Sequence, residues 1–101
     1  MSAPLDRPVV LRLPGVLRPL VGGASTLEMP LADDLATVGD LLADVDRAHP
    51  ALGRRLRDER GAVRRHVNVY VDGNDIRHAQ QLRTPVGPGA EVVVVPAVSG
   101  G

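Results

Sequence analysis

The amino-acid sequence contains no cysteine, lysine, tryptophan or phenylalanine, and Tyr70 is its only aromatic residue. Without cysteine the chain cannot form a disulfide, bind a metal or an iron–sulfur cluster through thiolates, or use a thiol nucleophile. Without lysine it cannot accept an isopeptide bond on a side chain. Its 12 arginines balance 12 acidic residues, so the formal net charge is zero and general nucleic-acid binding is not expected.

Long apolar runs are missing as well. None approaches ~18 residues, the length that suggests a membrane span, and no basic start precedes an apolar stretch as in a secretory signal. We therefore expect a cytoplasmic protein that does not contact a membrane. The 101 residues, of which 44% are hydrophobic, predict one small folded domain.

The charges are unevenly distributed along the chain. Residues 28–46 contain six acidic and no basic side chains, whereas residues 47–65 contain seven arginines and two acidic residues. Two solvated surfaces would explain this pattern, and so would a polarised face that orients a protein partner.

Alternating apolar residues predict strands at residues 9–13, 24–31 and 66–72, and four consecutive valines predict a last strand at residues 91–95. That last strand is apolar on both faces, so we expect it in the middle of the sheet. Residues 16–23 are expected to form a loop, and Ile76 to begin a short edge strand after a turn.

One main helix is predicted at about residues 38–48. Thr37 followed by Asp40 is an acidic variant of the capping box, and Pro50 ends the helix. One further short turn is expected around Leu52 and Leu56. Together with the strands, the helix predicts the following core: Leu13, Leu27, Leu41, Leu42, Val45, Val67, Val69 and Val71.

The order strand, strand, helix, strand, short strand, strand predicts an α+β fold. A β-grasp satisfies it, with a mixed sheet of four to five strands, one main helix across one face, and the first and last strands parallel at the centre. We assign residues 1–8 to a loose arm, residues 9–96 to the β-grasp domain and residues 97–101 to a flexible tail.

Motifs of known enzyme active sites are not found. The sequence has no metalloprotease, serine-hydrolase or phosphate-loop motif, and His49, His66 and His78 stand at unrelated spacings. We expect these histidines at the surface, no metal site, no bound cofactor and no catalytic activity of the chain itself.

The chemistry is therefore expected at the C-terminal end. Pro96 cannot donate a backbone hydrogen bond, so strand pairing should end there. The five following residues are small and can extend about 17 Å, at ~3.3–3.6 Å per residue. Gly100 and Gly101 have no Cβ, so they can enter a narrow channel and present a carboxylate.

At this point the chain resembles a known family. Pro88-Gly89-Ala90-Glu91-Val92, the valine strand and the tail after Pro96 are similar to the end of ThiS/MoaD-type ubiquitin-like sulfur carriers. The resemblance covers residues 8–101 and is greatest to the cysteine-pathway carriers of actinobacteria. Ala90 and Ser99 depart from the acidic residue and the alanine that are usual at these positions.

The resemblance implies that an ATP-using, ubiquitin-activating-type enzyme adenylates Gly101 and that a sulfur donor converts it to a thiocarboxylate. A cysteine-synthase-like enzyme would then accept the sulfur, and a metalloprotease would release the cysteine. The tail presented to these partners comprises Ala97, Val98, Ser99 and Gly100.

The partner surface is expected on the open face of the sheet, with Arg12, Asn68, Tyr70 and Pro96 as contact residues and Val10 beside them. The pattern leaves open which pair of the last strand, Val92 and Val94 or Val93 and Val95, lies on that face.

Several other functions remain open for this sequence. A carrier of sulfur for molybdopterin or for secondary metabolites would have the same fold and tail. A ubiquitin-like modifier would instead join Gly101 to lysines of other proteins, and a passive interaction domain would have an inert tail.

Overall fold

The computed structural model describes residues 7–31 and 36–96, which form five strands and two α-helices. The predictions for most of the arm and for the tail lie outside the described residues. In chain order the elements are β1 (Val9–Arg12), β2 (Thr26–Met29), α1 (Val38–Ala48), α2 (Pro50–Leu56), β3 (Val67–Val71), β4 (Asn74–Asp75) and β5 (Glu91–Pro96).

The strands form one mixed sheet in the order β2-β1-β5-β3-β4. β1 and β5 are parallel neighbours, and the other pairs are antiparallel. This is the predicted β-grasp arrangement, with the first and last strands side by side and β5 at the centre. A strand paired on both edges and apolar on both faces suits that position.

Helix α1 lies across one face of the sheet, within the predicted bounds. Thr37 accepts a hydrogen bond from the Asp40 backbone N–H at 3.2 Å, and the Thr37 N–H donates to the Asp40 carboxylate at 2.9 Å. This capping box fixes the start of the helix. The side chains that α1 buries against the sheet are Val38, Leu41, Leu42 and Val45.

Seven of the eight predicted core residues are buried. Leu27 is the exception, because it is only half-buried at the margin of the core. Its strand, β2, is an edge strand with one pairing partner, which leaves its apolar side chains less covered. The buried residues beyond the predicted list include Val9, Leu11, Leu17, Leu52, Leu56, Ile76, Val86, Val92 and Val94.

The segment predicted as a loop at residues 16–23 is mostly a 3₁₀ helix, Gly15–Val21. It buries Leu17, which is 7% exposed, so the segment is part of the core. Gly22 follows with a φ of 69°, a left-handed conformation that glycine adopts without a steric cost and that ends the helix.

The single turn expected after Pro50 is a seven-residue helix, α2. Pro50 ends α1 and also begins α2, since proline suits the first turn of a helix. Helix α2 packs closely on α1 at Gly53, where a Cβ would lie 2.9 Å from the Cα of Asp46.

The prediction that Ile76 begins an edge strand is wrong. The edge strand is β4, Asn74–Asp75, and Ile76 instead begins a short 3₁₀ helix, Ile76–His78, with its side chain buried. The reason is the tight turn at Asp72 and Gly73, which have φ angles of 49° and 88°. Because the turn has only two residues, pairing with β3 already begins at Asn74. A third 3₁₀ helix, Gln81–Arg83, lies in the segment before β5.

Candidate functional site on the open sheet face and at the end of β5

The burial of β5 settles which valines lie on the open face of the sheet, the face turned away from α1. Val92 and Val94 are buried in the core at 0% and 2% exposure. Val93 and Val95 therefore point to the open face, and Val95 is 39% exposed. Sequence alternation could not decide this, because all four residues are valine.

Three of the predicted contact residues meet around these two valines. Val93 pairs with Arg12 of β1 on one side and with Tyr70 of β3 on the other. Asn68 stands opposite Val95 in the neighbouring register position. Since paired strands lie ~4.8 Å apart, these side chains form one patch across three strands, which we call the open-face patch.

An ion pair that the sequence did not predict lies at the start of β5. The Arg12 guanidinium donates from Nε to the Glu91 carboxylate, and both side chains are about half exposed. An exposed pair contributes little to stability. It balances the charge of Arg12 beside the apolar Val93 and Val95. Only the parallel register of β1 and β5 brings these two residues together.

Asn68 has an unusual position in the patch. Its side-chain oxygen is buried and accepts no hydrogen bond from the described residues. A buried acceptor without a donor costs about 1–3 kcal/mol.

Pro96, the fourth predicted contact residue, is the last residue of β5 and is exposed. It stands opposite Val67, at the end of the sheet. The predicted chemical residue, Gly101, and the tail residues Ala97, Val98, Ser99 and Gly100 lie outside the described residues.

Within residues 7–31 and 36–96, no three or more His, Cys, Asp or Glu side chains come together as a metal ion would require. In the same ranges, no helix has the length and apolar character needed to cross a membrane.

The sheet order and the helix across one face define a ubiquitin-like β-grasp protein. The fold agrees with one chain in the crystal structure of the Amycolatopsis orientalis BexX/CysO complex, with a TM-score of 0.80 and 33% identity over 92% of this chain and 99% of that chain. Residues 11–101 match the model of the ThiS family, and the chain belongs to that family.

Two relatives illustrate the functions found among similar proteins. The sulfur carrier protein CysO of Mycobacterium tuberculosis is 33% identical over 92% of this chain and 98% of its own length. Small archaeal modifier protein 3 of Haloferax volcanii is 39% identical over 68% of this chain and 74% of its own length.

Proposed function

We propose that this protein is a sulfur carrier that presents the carboxylate of Gly101 to partner enzymes and is not itself a catalyst. The observation that carries the proposal is the ThiS-family match over residues 11–101, which includes Gly100 and Gly101. The fold supports it, because the central strand β5 ends at an exposed Pro96 and leads toward those glycines.

The chemistry follows from the weak reactivity of a carboxylate. The Gly101 carboxylate attacks the α-phosphorus of ATP in the activating enzyme, and pyrophosphate leaves. Sulfide sulfur then attacks the acyl carbon of the adenylate and AMP leaves, which forms a thiocarboxylate. Its sulfur is ionised at neutral pH and is a strong nucleophile, whereas the carboxylate oxygen is a weak one.

We propose cysteine formation as the destination of the sulfur, because the chain resembles the cysteine-pathway carriers and is 33% identical to the sulfur carrier protein CysO of M. tuberculosis. A cysteine-synthase-like enzyme would join the thiocarboxylate sulfur to a phosphorylated or acetylated serine, with loss of phosphate or acetate. Release of the cysteine by a metalloprotease remains a prediction. Since activation consumes ATP, we place this step in the cytoplasm, with ATP bound by the partner.

The open-face patch is the surface we assign to partner binding. It joins the apolar Val93 and Val95 to Tyr70 and Asn68, and aromatic side chains are enriched at binding hot spots.

The test is intact mass spectrometry after incubation with ATP, sulfide and the ubiquitin-activating-type enzyme of the same organism. A carrier gains the mass difference between one sulfur and one oxygen atom, and omission of ATP abolishes the gain. As a positive control, the same enzyme preparation must load a carrier that it is known to load. If the mass of this protein then stays unchanged, the proposal is contradicted.

A protein modifier is the second candidate, and the similarity to small archaeal modifier protein 3 favours it. In that case Gly101 would form amide bonds to lysines of other proteins. This chain has no lysine, so it cannot build lysine-linked chains on itself. The modifier proposal would replace the carrier proposal if two results were found together. The protein would be joined by amide bonds to other proteins in cells, and its thiocarboxylate would donate no sulfur to a small molecule.

A further inference from the structure

A narrow cleft of about 210 Å³ opens next to Pro96. Four elements that are distant in the sequence build it: the 3₁₀ helix Gly15–Val21, helix α2, and the adjacent ends of β3 and β5. The residues that line it are Val16, Leu17, Arg55, His66, Val67, Val94 and Pro96.

The floor of the cleft is apolar and fixed by the core. Leu17, Val67 and Val94 are 7%, 4% and 2% exposed. Val16 forms a lip that is 62% exposed, although its neighbour Leu17 is buried. A rigid apolar floor with an exposed apolar lip is a suitable site for an aliphatic side chain of another protein.

The exposed apolar residues concentrate at this end of the sheet. Among the described residues, the exposed large hydrophobic side chains are Val16 and Val95. Val95 precedes Pro96 in β5, and Val16 shares the cleft with Pro96. The cleft and the open-face patch therefore both lie next to Pro96, on opposite sides of it.

The rim of the cleft is basic. Arg55 and His66 are both exposed, and none of the described lining residues is acidic. Arg54 and Arg65, their neighbours in the chain, are also exposed. Arg55 belongs to none of the ion pairs among the described residues, which join Arg12 to Glu91, Arg47 to Asp44 and Arg57 to Asp46. The cleft therefore attracts a negatively charged surface.

The short length of chain after Pro96 brings a partner that binds the tail close to this cleft. Five residues follow Pro96, and they reach at most about 17 Å at ~3.3–3.6 Å per residue. An enzyme that holds Gly101 in its active site must contact the domain within that distance of Pro96, where the cleft lies.

We propose that the cleft lined by Val16, Arg55 and His66 is the docking site for the activating enzyme, which inserts an aliphatic side chain beside Val16 and pairs a carboxylate with Arg55. This inference rests on the proposed function, because it assumes that such an enzyme takes the tail. It also gives a role to the arginine-rich segment at residues 47–65, which includes α2 and whose end borders the cleft.

The test compares Val16→Asp and Arg55→Glu with the wild type in the loading reaction with ATP, sulfide and the activating enzyme. Both side chains are exposed, so the variants should keep the wild-type melting temperature. We expect KM to rise about tenfold or more for each variant while kcat changes little, because docking residues act before the chemistry. The Kd measured by calorimetry without ATP should rise by the same factor.

Arg83→Glu is the matched control, since Arg83 is also an exposed arginine but does not line the cleft. It should bind and load like the wild type. If Val16→Asp and Arg55→Glu behave like Arg83→Glu in both assays, the docking inference is wrong while the carrier proposal stands. If the wild type binds the enzyme but is never loaded, the carrier proposal fails, and calorimetry on the variants still decides the docking site.

Discussion

Val69 shows at the scale of one residue how the sheet holds the domain together. It lies in the middle of β3, pairs with Val94 of β5 and is 1% exposed. Removing methyl groups from such a site loses their transfer free energy and leaves a cavity. Val95, one position further along β5, points to the open face and is 39% exposed.

We predict that Val69→Ala lowers the free energy of unfolding by about 1–3 kcal/mol. Val95→Ala makes the same change of side chain on the other face and should cost less than about 0.5 kcal/mol. Denaturant titration of both variants measures the difference. If the two variants unfold at the same denaturant concentration, either Val95 faces the core or Val69 does not.

Residue positions were predictable where apolar and polar residues alternate. Val67, Val69 and Val71 alternate with polar residues, and all three are buried as predicted. Alternation carries no information in β5, where both faces are valine. The same pattern predicts Leu27 in the core, but Leu27 is half-buried because β2 is an edge strand with a neighbour on one side only.

At the scale of elements, the contact between α1 and α2 depends on Gly53. This residue is buried inside α2, and a Cβ there would lie 2.9 Å from the Cα of Asp46 in α1. An ion pair also joins the two helices, because the guanidinium of Arg57, the residue after α2, donates to the Asp46 carboxylate of α1. A side chain at position 53 would push the two helices apart.

We predict that Gly53→Ala destabilises the protein by up to about 2 kcal/mol, which is the cost of overpacking less the gain in helix propensity. Overpacking costs about 1–3 kcal/mol, which exceeds the helix-propensity gain of up to ~1 kcal/mol for replacing glycine by alanine. Gly15→Ala is the control, because nothing lies within 4 Å of a Cβ at Gly15. Thermal unfolding of both variants tests this, and an increase in stability for Gly53→Ala would contradict the close approach.

Elements were predictable where a local signal marks them. Thr37, Asp40 and Pro50 marked both ends of α1 correctly. The sequence predicts a loop where the 3₁₀ helix Gly15–Val21 forms, because Pro19 and the glycines on either side are typical of turns and only tertiary contact buries Leu17. The cleft beside Pro96 had no sequence signal at all, since its lining residues come from separate segments that the fold brings together.

At the scale of the whole molecule, the surfaces assigned to partners surround the end of β5. The open-face patch lies on one side of Pro96 and the basic cleft on the other. Tyr70 is the aromatic residue of the patch and pairs with Val93 at its centre. A partner that covers both surfaces would hold the domain in one orientation while it takes the tail.

We predict that Tyr70→Ala raises the KM for loading by about tenfold, as expected for an aromatic residue at a binding hot spot. Tyr70→Phe keeps the ring and should load with a KM close to that of the wild type. Steady-state loading kinetics test both variants, with melting temperatures as a check on folding. If Tyr70→Ala loads with the KM of the wild type, the open-face patch is not part of the surface that binds the partner.

The measurement that tests the central proposal most directly is the rate of sulfur loading when the tail is altered at Gly101. Deletion of Gly101 withdraws the carboxylate by about 3.3–3.6 Å, and a misplacement of ~1 Å can already cost 10²-fold in rate. One added alanine turns the Gly101 carboxylate into an unreactive amide. Ser99→Ala is the control, because it keeps the length of the tail and its terminal carboxylate.

Intact mass spectrometry over time, with ATP, sulfide and the activating enzyme, should show sulfur gained by the wild type and by Ser99→Ala. The protein that lacks Gly101 and the protein with the added alanine should gain no sulfur. Both should keep the melting temperature of the wild type, which shows that they are folded. Loading of either altered protein at the wild-type rate would contradict the proposal that Gly101 carries the function.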